Sequence, residues 1–289
     1  MPAPAVTTAN TVPYDDLHRT LGYLDLPICY RKWPVDGAKG AVVIVHGLSE
    51  HSGRYRHVAE ALNARKLSVF ALDNRGHGRT GGQRCHVDAY DDYVRDLERF
   101  FSTVVEPELK GTPVALFGHS NGGLIAARFV LANPSRVRAL ALSGPLLKLI
   151  KEVPPWKRIL GSLFDRYWPR FKFPNDLAPE QLTHDPLMIE AWMRDGLIAH
   201  EVTPRWFKES ERASADALAR AREIRVPLLV QHGGADPLTS PQASRQFVAH
   251  ASSETKECRI YDGLRHEIVN EIERDRVIAE LADWLAARF

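Results

Sequence analysis

The sequence has few of the residues and segments that would set it apart from an ordinary globular enzyme. Its 289 residues include only three cysteines, Cys29, Cys85 and Cys258, and their spacing matches no zinc site. An odd number cannot pair completely, so we expect free thiols in a reducing compartment. No apolar run approaches the roughly 20 residues of a membrane span. Residues 1–16 lack the basic and apolar regions of a secretion signal, so we expect a cytoplasmic protein.

The chain carries almost no net charge. The 38 basic and 36 acidic residues leave a formal charge of +2, which gives no field to attract nucleic acid. Two pairs of side chains, His46 with His51 and Asp73 with His77, lack a third ligand at a recognised metal spacing. We therefore expect neither a metal nor another cofactor, and no nucleic-acid partner.

Strand-like apolar runs alternate with helical periods along the chain. Because the runs are apolar on nearly every position, they indicate strands buried on both faces of a parallel sheet. The predicted fold is α/β, with a mostly parallel central sheet and helices on both faces. The predicted strands lie within 41–47, 68–78, 114–123, 138–145, 227–237 and 256–263, and the clearest helices within 87–104, 123–134 and 275–289.

Residues 145–222 interrupt this alternation with proline-punctuated helical stretches. We interpret them as a helical cap inserted into a core of residues 1–144 and 223–289. The segment holds four of the six tryptophans and two of the three methionines. These side chains either form the cap's own small core or line a substrate channel, since ligand sites are mostly apolar and aromatic. They are Trp156, Trp168, Trp192, Trp206, Met188 and Met193.

A serine between two glycines follows a predicted strand directly. The run VALFGHSNGG ends in Gly-x-Ser-x-Gly, with Ser120 at its centre, and a helix begins at once. Strand, tight turn and helix are the context in which this pattern forms a nucleophile elbow. The glycines at 118 and 122 are needed because the chain approaches itself closely there, while the serine is held in a strained backbone conformation.

A serine nucleophile needs a base and an acid, which follow in the order Ser, Asp/Glu, His in this type of fold. Asp236 lies just past the strand PLLVQ, and His266 lies on the loop after the last strand. Asp262 is a rival acid, but it reads better as a turn residue. His232 precedes Asp236 at the end of a strand, and His250 lies within a helical pattern, so neither is in the expected position for the base. The sequence therefore predicts a triad of Ser120, Asp236 and His266.

The developing oxyanion needs two N–H donors. One is the backbone N–H of Asn121, which follows the nucleophile. The second lies in the turn after the first buried strand, where His46-Gly47 lets the chain bend. We assign this donor to the backbone N–H of Leu48.

The motifs HGLSEHSGRY (46–55), LDNRGHGRTGG (72–82) and GHSNGG, with the two late loops, resemble the monoacylglycerol lipase branch of the α/β-hydrolase superfamily. Bacterial members are often called lysophospholipases. The resemblance extends from about residue 14 to the end and implies that Glu50 and Arg54 bind the polar end of a substrate. Their alternative role is a salt bridge that packs the loop. The chain departs from the family in Asn121, where methionine is common, so a polar amide stands in place of an apolar side chain.

The resulting expectation is a serine carboxylic ester hydrolase that cleaves monoacylglycerol or similar lipid esters of short to medium chain through an acyl-enzyme. A lysophospholipase or a prolyl-type aminopeptidase would use the same triad. For the aminopeptidase, acidic groups such as Glu180, Asp185, Glu190 and Asp195 would have to hold a free amine. A non-catalytic binding protein is the remaining alternative, which an intact triad disfavours.

Basic and aromatic residues interleave in the first part of the cap. The pattern predicts either transient contact with a lipid surface or a solvated charged face. The basic residues are Lys148, Lys151, Lys157, Arg158, Arg166, Arg170 and Lys172.

Overall fold

The structure, a computed structural model, describes residues 17–21, 26–150 and 154–289, and eight of its strands form one sheet. These strands are β1 (Leu17–Leu21), β2 (Pro27–Trp33), β3 (Gly40–Val45), β4 (Leu67–Leu72), β5 (Val114–His119), β6 (Ala139–Ser143), β9 (Leu228–Gly233) and β10 (Lys256–Tyr261). Their order is β1-β2-β4-β3-β5-β6-β9-β10. The pairs from β4 to β10 are parallel, whereas β2 runs antiparallel to both of its neighbours.

Helices cover both faces of this sheet. They are α1 (Arg56–Asn63), α2 (Asp91–Phe100), α3 (Glu106–Leu109), α4 (Asn121–Ala132), α5 (Pro155–Tyr167), α6 (Pro186–Arg194), α7 (Pro204–Ala219), α8 (Pro241–His250) and α9 (Arg274–Ala286). On β3, Val43 packs towards α2, α4, α7 and α8, while Ile44 packs towards α1 and α9. Each such fully buried aliphatic side chain contributes roughly 1.5–3 kcal/mol relative to exposure, which is why the strand is apolar on both sides.

The six predicted strands and three predicted helices are confirmed, with two further strands, β1 and β2, at one edge of the sheet. The sequence did not indicate β1 or β2, because β2 carries Arg31 and Lys32 and so shows no apolar run. Arg31 is nevertheless buried, since it pairs with Asp73. The helix predicted within 87–104 is α2, which continues through one wide π-helical stretch (Phe101–Val105) into α3.

The proposed cap lies between β6 and β9. It contains α5, α6, α7 and a pair of two-residue strands, β7 (Phe173–Pro174) and β8 (Glu201–Val202). Helix α7 packs on α4, and its Trp206 belongs to the core beneath the cap. Trp192 instead forms a small separate cluster with Leu182 and Ile198. Trp156, Trp168 and Met193 are exposed, so the cap aromatics divide between packing and surface.

The segments that hold the predicted triad meet at one edge of the sheet. Strands β3, β5, β9 and β10 are parallel, and each predicted functional segment follows the carboxyl end of one of them. In an open parallel sheet this edge is the usual place for a ligand site. No helix in the described ranges is long and apolar enough to cross a membrane.

The crossing of β3 and α4 depends on Gly122. A Cβ at this position would lie 2.1 Å from the carbonyl oxygen of Val45 and 2.4 Å from that of His46, so the backbone would have to move.

We expect Gly122→Ala to reduce the free energy of unfolding by more than about 2 kcal/mol, because overpacking against backbone cannot be relieved by a rotamer change. Urea denaturation measures this. Gly161→Ala in α5 is the matched control, since nothing lies within 4 Å of its Cβ position and alanine favours a helix by about 0.5–1 kcal/mol. Equal midpoints for Gly122→Ala and the parent protein would contradict the account.

Candidate active site

Ser120 occupies a strained turn between β5 and α4. Its backbone has φ 52° and ψ −118°, a region that side-chain-bearing residues rarely adopt. Such conformations cost about 1–3 kcal/mol and persist only where the surroundings impose them. Here the Ser120 N–H donates to the carbonyl of Ser143 at 2.9 Å, and the Ser120 carbonyl accepts from the N–H of Leu146 at 2.9 Å. Neighbouring β6 therefore holds the turn in place.

The flanking glycines are required by contact, as the sequence predicted. A Cβ at Gly118 would lie 2.4 Å from the carbonyl oxygen of Gly122. At Gly47, a Cβ would lie 3.2 Å from the Cβ of Ser120, which shows how closely the turn after β3 approaches the serine. The two glycine-containing turns therefore lie against each other at the sheet edge.

His266 and Asp236 are directly bonded. The imidazole Nδ1 lies 2.7 Å from Asp236 Oδ2, and both side chains are buried. The second carboxylate oxygen, Oδ1, accepts from the backbone N–H groups of Leu238 at 2.8 Å and Thr239 at 3.0 Å. The carboxylate is thus fixed by its own loop, and it orients the imidazole with Nδ1 as the donor.

The two pKa values respond to this pairing in opposite directions. Burial alone would raise the pKa of Asp236, but the charges and hydrogen bonds of His266 and His232 hold it well below its usual range. Burial alone would lower the pKa of His266, but the Asp236 carboxylate raises it above its ordinary value. Asp236 therefore stays ionised, and its charge favours the protonated form of His266.

Two further residues bond Asp236, and the sequence predicts no such role for either of them. His232 Nε2 lies 3.0 Å from Asp236 Oδ2, and the Thr239 hydroxyl donates to the same oxygen at 2.8 Å. The sequence marks His232 only as a rival base, although its position four residues before Asp236 is the signal that indicates this contact. Asp262, the rival acid, is exposed.

His119 lies beside the base. Its ring centroid is 4.8 Å from that of His266. Burial, together with the charge of His266, lowers the pKa of His119 to about 4, so its ring is neutral at neutral pH.

The two predicted oxyanion donors lie in the facing turns. Within residues 26–150 and 154–289, the backbone N–H groups of Leu48 and Asn121 donate no hydrogen bond, so both are available to a ligand oxygen. Asn121 begins α4, whose N-terminus adds a favourable dipole for negative charge. Over the same ranges the Ser120 hydroxyl makes no hydrogen bond, so its proton transfer to His266 stays a prediction.

The Asn121 side chain is buried and held by Tyr90. The Tyr90 hydroxyl donates to Asn121 Oδ1 at 2.7 Å, while Asn121 Nδ2 has no partner in the part of the chain that the structure describes. The residue that departs from the family pattern is therefore fixed in one orientation immediately after the nucleophile.

Glu50 and Arg54 form the alternative that the sequence left open, a salt bridge within the loop. Arg54 Nη1 lies 3.0 Å from Glu50 Oε2, and both residues are buried. Their contact with a substrate stays a prediction.

Comparison with known proteins places the chain among hydrolases. The family model described as serine aminopeptidase, S33, matches residues 36–273. The chain belongs to this family. A monoacylglycerol lipase from Mycolicibacterium smegmatis is 32% identical over 272 residues, which cover 93% of this chain and 96% of the relative. The phospholipase YtpA of Bacillus subtilis is 31% identical over 248 residues, covering 85% of this chain and 94% of that protein.

Solved structures agree with this family membership. The crystal structure of the Paleococcus ferrophilus monoacylglycerol lipase superposes with a TM-score of 0.83 at 27% identity, covering 91% of this chain and 99% of that one. The predicted α/β-hydrolase fold, and the predicted class of serine hydrolase, are thereby confirmed.

Asp236→Asn should lower kcat/KM for a p-nitrophenyl ester by about 10⁴-fold, because an amide cannot hold the required imidazole tautomer. Asp262→Asn is the control and should change the rate less than about twofold, since Asp262 is exposed and substitutions at exposed positions usually have small effects. Steady-state kinetics measure both. A larger loss in the Asp262 variant would reassign the acid.

Proposed function

We propose that this protein hydrolyses monoacylglycerols or closely similar lipid esters through an acyl-enzyme on Ser120. The observation that carries the proposal is the His266–Asp236 hydrogen bond of 2.7 Å, together with a serine held at positive φ between β5 and α4. The 32% identity to a monoacylglycerol lipase across nearly the whole chain supports the substrate class.

The proposed reaction proceeds in two halves. His266 Nε2 removes the Ser120 proton as Oγ attacks the ester carbonyl, and the oxyanion accepts hydrogen bonds from the N–H groups of Leu48 and Asn121. The C–O bond to glycerol then breaks, and His266 returns the proton to the leaving alcohol. A water molecule, activated by the same imidazole, attacks the acyl-enzyme and releases the fatty acid and free serine.

A peptidase acting on free amino termini is less well supported. The acidic cap residues that would hold the amine are mostly engaged: Asp185 accepts from Leu187 N–H and pairs with Arg274, and Asp195 bonds His51 at 2.7 Å. A phospholipase or lysophospholipase remains the second candidate, because a B. subtilis phospholipase is 31% identical to the chain.

The test compares three substrates: monoacylglycerols of graded chain length, lysophosphatidylcholine and a proline amide. We expect the monoacylglycerols to give the highest kcat/KM, and Ser120→Ala to reduce it by about 10⁴- to 10⁶-fold, as loss of a triad member does. Faster release from lysophosphatidylcholine would favour the second candidate. Monoacylglycerol cleavage no faster than by Ser120→Ala would refute the proposal.

We also propose that the cap touches a lipid surface during turnover. Helix α5 exposes Trp156 (62%), Ile159 (65%) and Leu163 (48%). Arg158 and Arg170 form exposed ion pairs, with Glu211 and Asp88 respectively. Exposed pairs contribute little, so these guanidinium groups can exchange their partners for lipid phosphates. Lys151 lies outside the described residues.

Co-sedimentation with phosphatidylglycerol vesicles measures this contact. We expect binding at low salt that weakens as salt rises, because the attraction is electrostatic in part. Ile159→Ser with Leu163→Ser should reduce the bound fraction several-fold, at about 0.8 kcal/mol for each methylene withdrawn from lipid. Ile272→Ser, at an equally exposed apolar residue outside the proposed cap, is the control. An absence of sedimentation at low salt would dismiss the contact.

A further inference from the structure

Three buried charged residues connect the two loops that the proposed mechanism uses. We call Glu50, Arg54 and Glu267 the clamp. Arg54 binds Glu267 through both ends of its guanidinium, with Nη1–Oε1 and Nη2–Oε2 distances of 2.7 Å, and it binds Glu50 Oε2 at 3.0 Å. Each of the three residues is at most 4% exposed. One guanidinium therefore joins the turn after β3 to the loop after β10.

Each carboxylate of the clamp also holds its own loop. Glu50 Oε1 accepts from the backbone N–H of Gly47 at 2.6 Å and from the Tyr55 hydroxyl at 2.7 Å. Gly47 immediately precedes Leu48, the predicted oxyanion donor. Glu50 thus fixes the turn that presents this N–H.

Glu267 holds the other side. It directly follows His266, its Oε2 accepts from the Asn270 amide at 2.8 Å, and its backbone N–H donates to the carbonyl of Leu182 at 2.8 Å. Burial alone would raise the pKa of Glu267, but Arg54 lowers it to about 2. The carboxylate is therefore charged across the pH range of enzyme assays.

A contribution to folding stability is a weak explanation for the burial of the three charged clamp residues. Burying ions carries a large desolvation penalty, and replacing a buried pair by apolar groups is often neutral or stabilising. A planar guanidinium instead provides a fixed geometry, because its two parallel hydrogen bonds set the relative position of the groups they join. The joined groups here are neighbours of the oxyanion donor and of the base.

We propose that Glu50, Arg54 and Glu267 are positioning residues that hold the Leu48 turn in register with the His266 loop during the reaction. The proposal rests on the proposed function. It assigns Glu50 and Arg54 a role other than direct substrate binding. The clamp carries a net charge of −1, from two carboxylates and one guanidinium, and so it also favours the imidazolium form of His266.

The charged and titratable groups around His266 come from four segments. Asp236 and His232 lie after and on β9, His119 ends β5, the Glu50–Arg54 pair follows β3, and Glu267 lies on the same loop. The carboxylates among them raise the pKa of His266 against the effect of burial. Because the base must be neutral to accept a proton, activity falls as pH decreases through this pKa.

Two readouts separate clamp charge from clamp geometry, the pH profile and kcat. Glu267→Gln removes one negative charge and one of the two hydrogen bonds from Arg54, because an amide has a single accepting oxygen. Among the described residues the Oδ1 of Asn270 has no partner, so Asn270 can turn its amide to accept from the introduced NH2 group. Arg54→Gln combined with Glu267→Gln restores the net charge of −1 through Glu50 alone. Arg54→Lys keeps the charge but removes the two-pronged hydrogen bond.

The readout is the pH profile of kcat/KM for a p-nitrophenyl ester, with kcat and KM resolved. We expect Glu267→Gln to shift the acid limb down by about 0.5 to 1 on the pH scale, and the double variant to return it towards the parent. Arg54→Lys should leave the limb in place and lower kcat about tenfold at nearly constant KM, as misplacement of reacting groups does. Glu60→Gln, in an exposed pair with Arg56, should change neither.

The outcomes are distinguishable. An acid limb that does not move in Glu267→Gln, or that moves upward, would overturn the proposal, as would an unchanged kcat in Arg54→Lys. If the Arg54 variants fail to fold, the Glu267→Gln profile alone decides. Failure of the proposed function shows differently, as a parent protein no faster than Ser120→Ala on any ester.

Discussion

The site depends on one backbone constraint, the left-handed conformation of Ser120. It is possible only because the chain lacks side chains at 118 and 122, where the elbow touches itself and the carbonyl oxygens of β3. The same close contact brings the turn after β3 against the serine. Strain at this residue is therefore coupled to the placement of both predicted oxyanion donors, and packing of the sheet supplies the energy that maintains it.

Electrostatics then divides the site into groups that keep their charge and groups that change it. Asp236 is surrounded by donors from its own loop, from Thr239 and from two histidines, so it remains an anion. His119 is neutral through burial. The carboxylates around His266 raise its pKa against the effect of burial, so its imidazole can gain and lose a proton near neutral pH.

The sequence predicted those features whose pattern lies within a single segment or follows from the order of residues along the chain. Strands buried on both faces appear as apolar runs, and the order of Ser120, Asp236 and His266 follows from the fold. It did not reveal β2, whose buried Arg31 depends on a partner 42 residues away. Nor did it reveal the pairing of Arg54 with Glu267, which are 213 residues apart and meet only because the sheet places β3 and β10 on a common edge.

The central claim is that Ser120, His266 and the two backbone donors converge on one reacting carbonyl. A crystal structure of the protein inactivated by an alkyl fluorophosphonate tests this most directly, because the adduct mimics the tetrahedral intermediate. We expect phosphorus bonded to Ser120 Oγ, with its oxygen about 2.7–3.1 Å from the N–H groups of Leu48 and Asn121 and with His266 Nε2 within hydrogen-bond reach. Phosphorus on another residue, or an oxygen that contacts neither N–H group, would contradict the account.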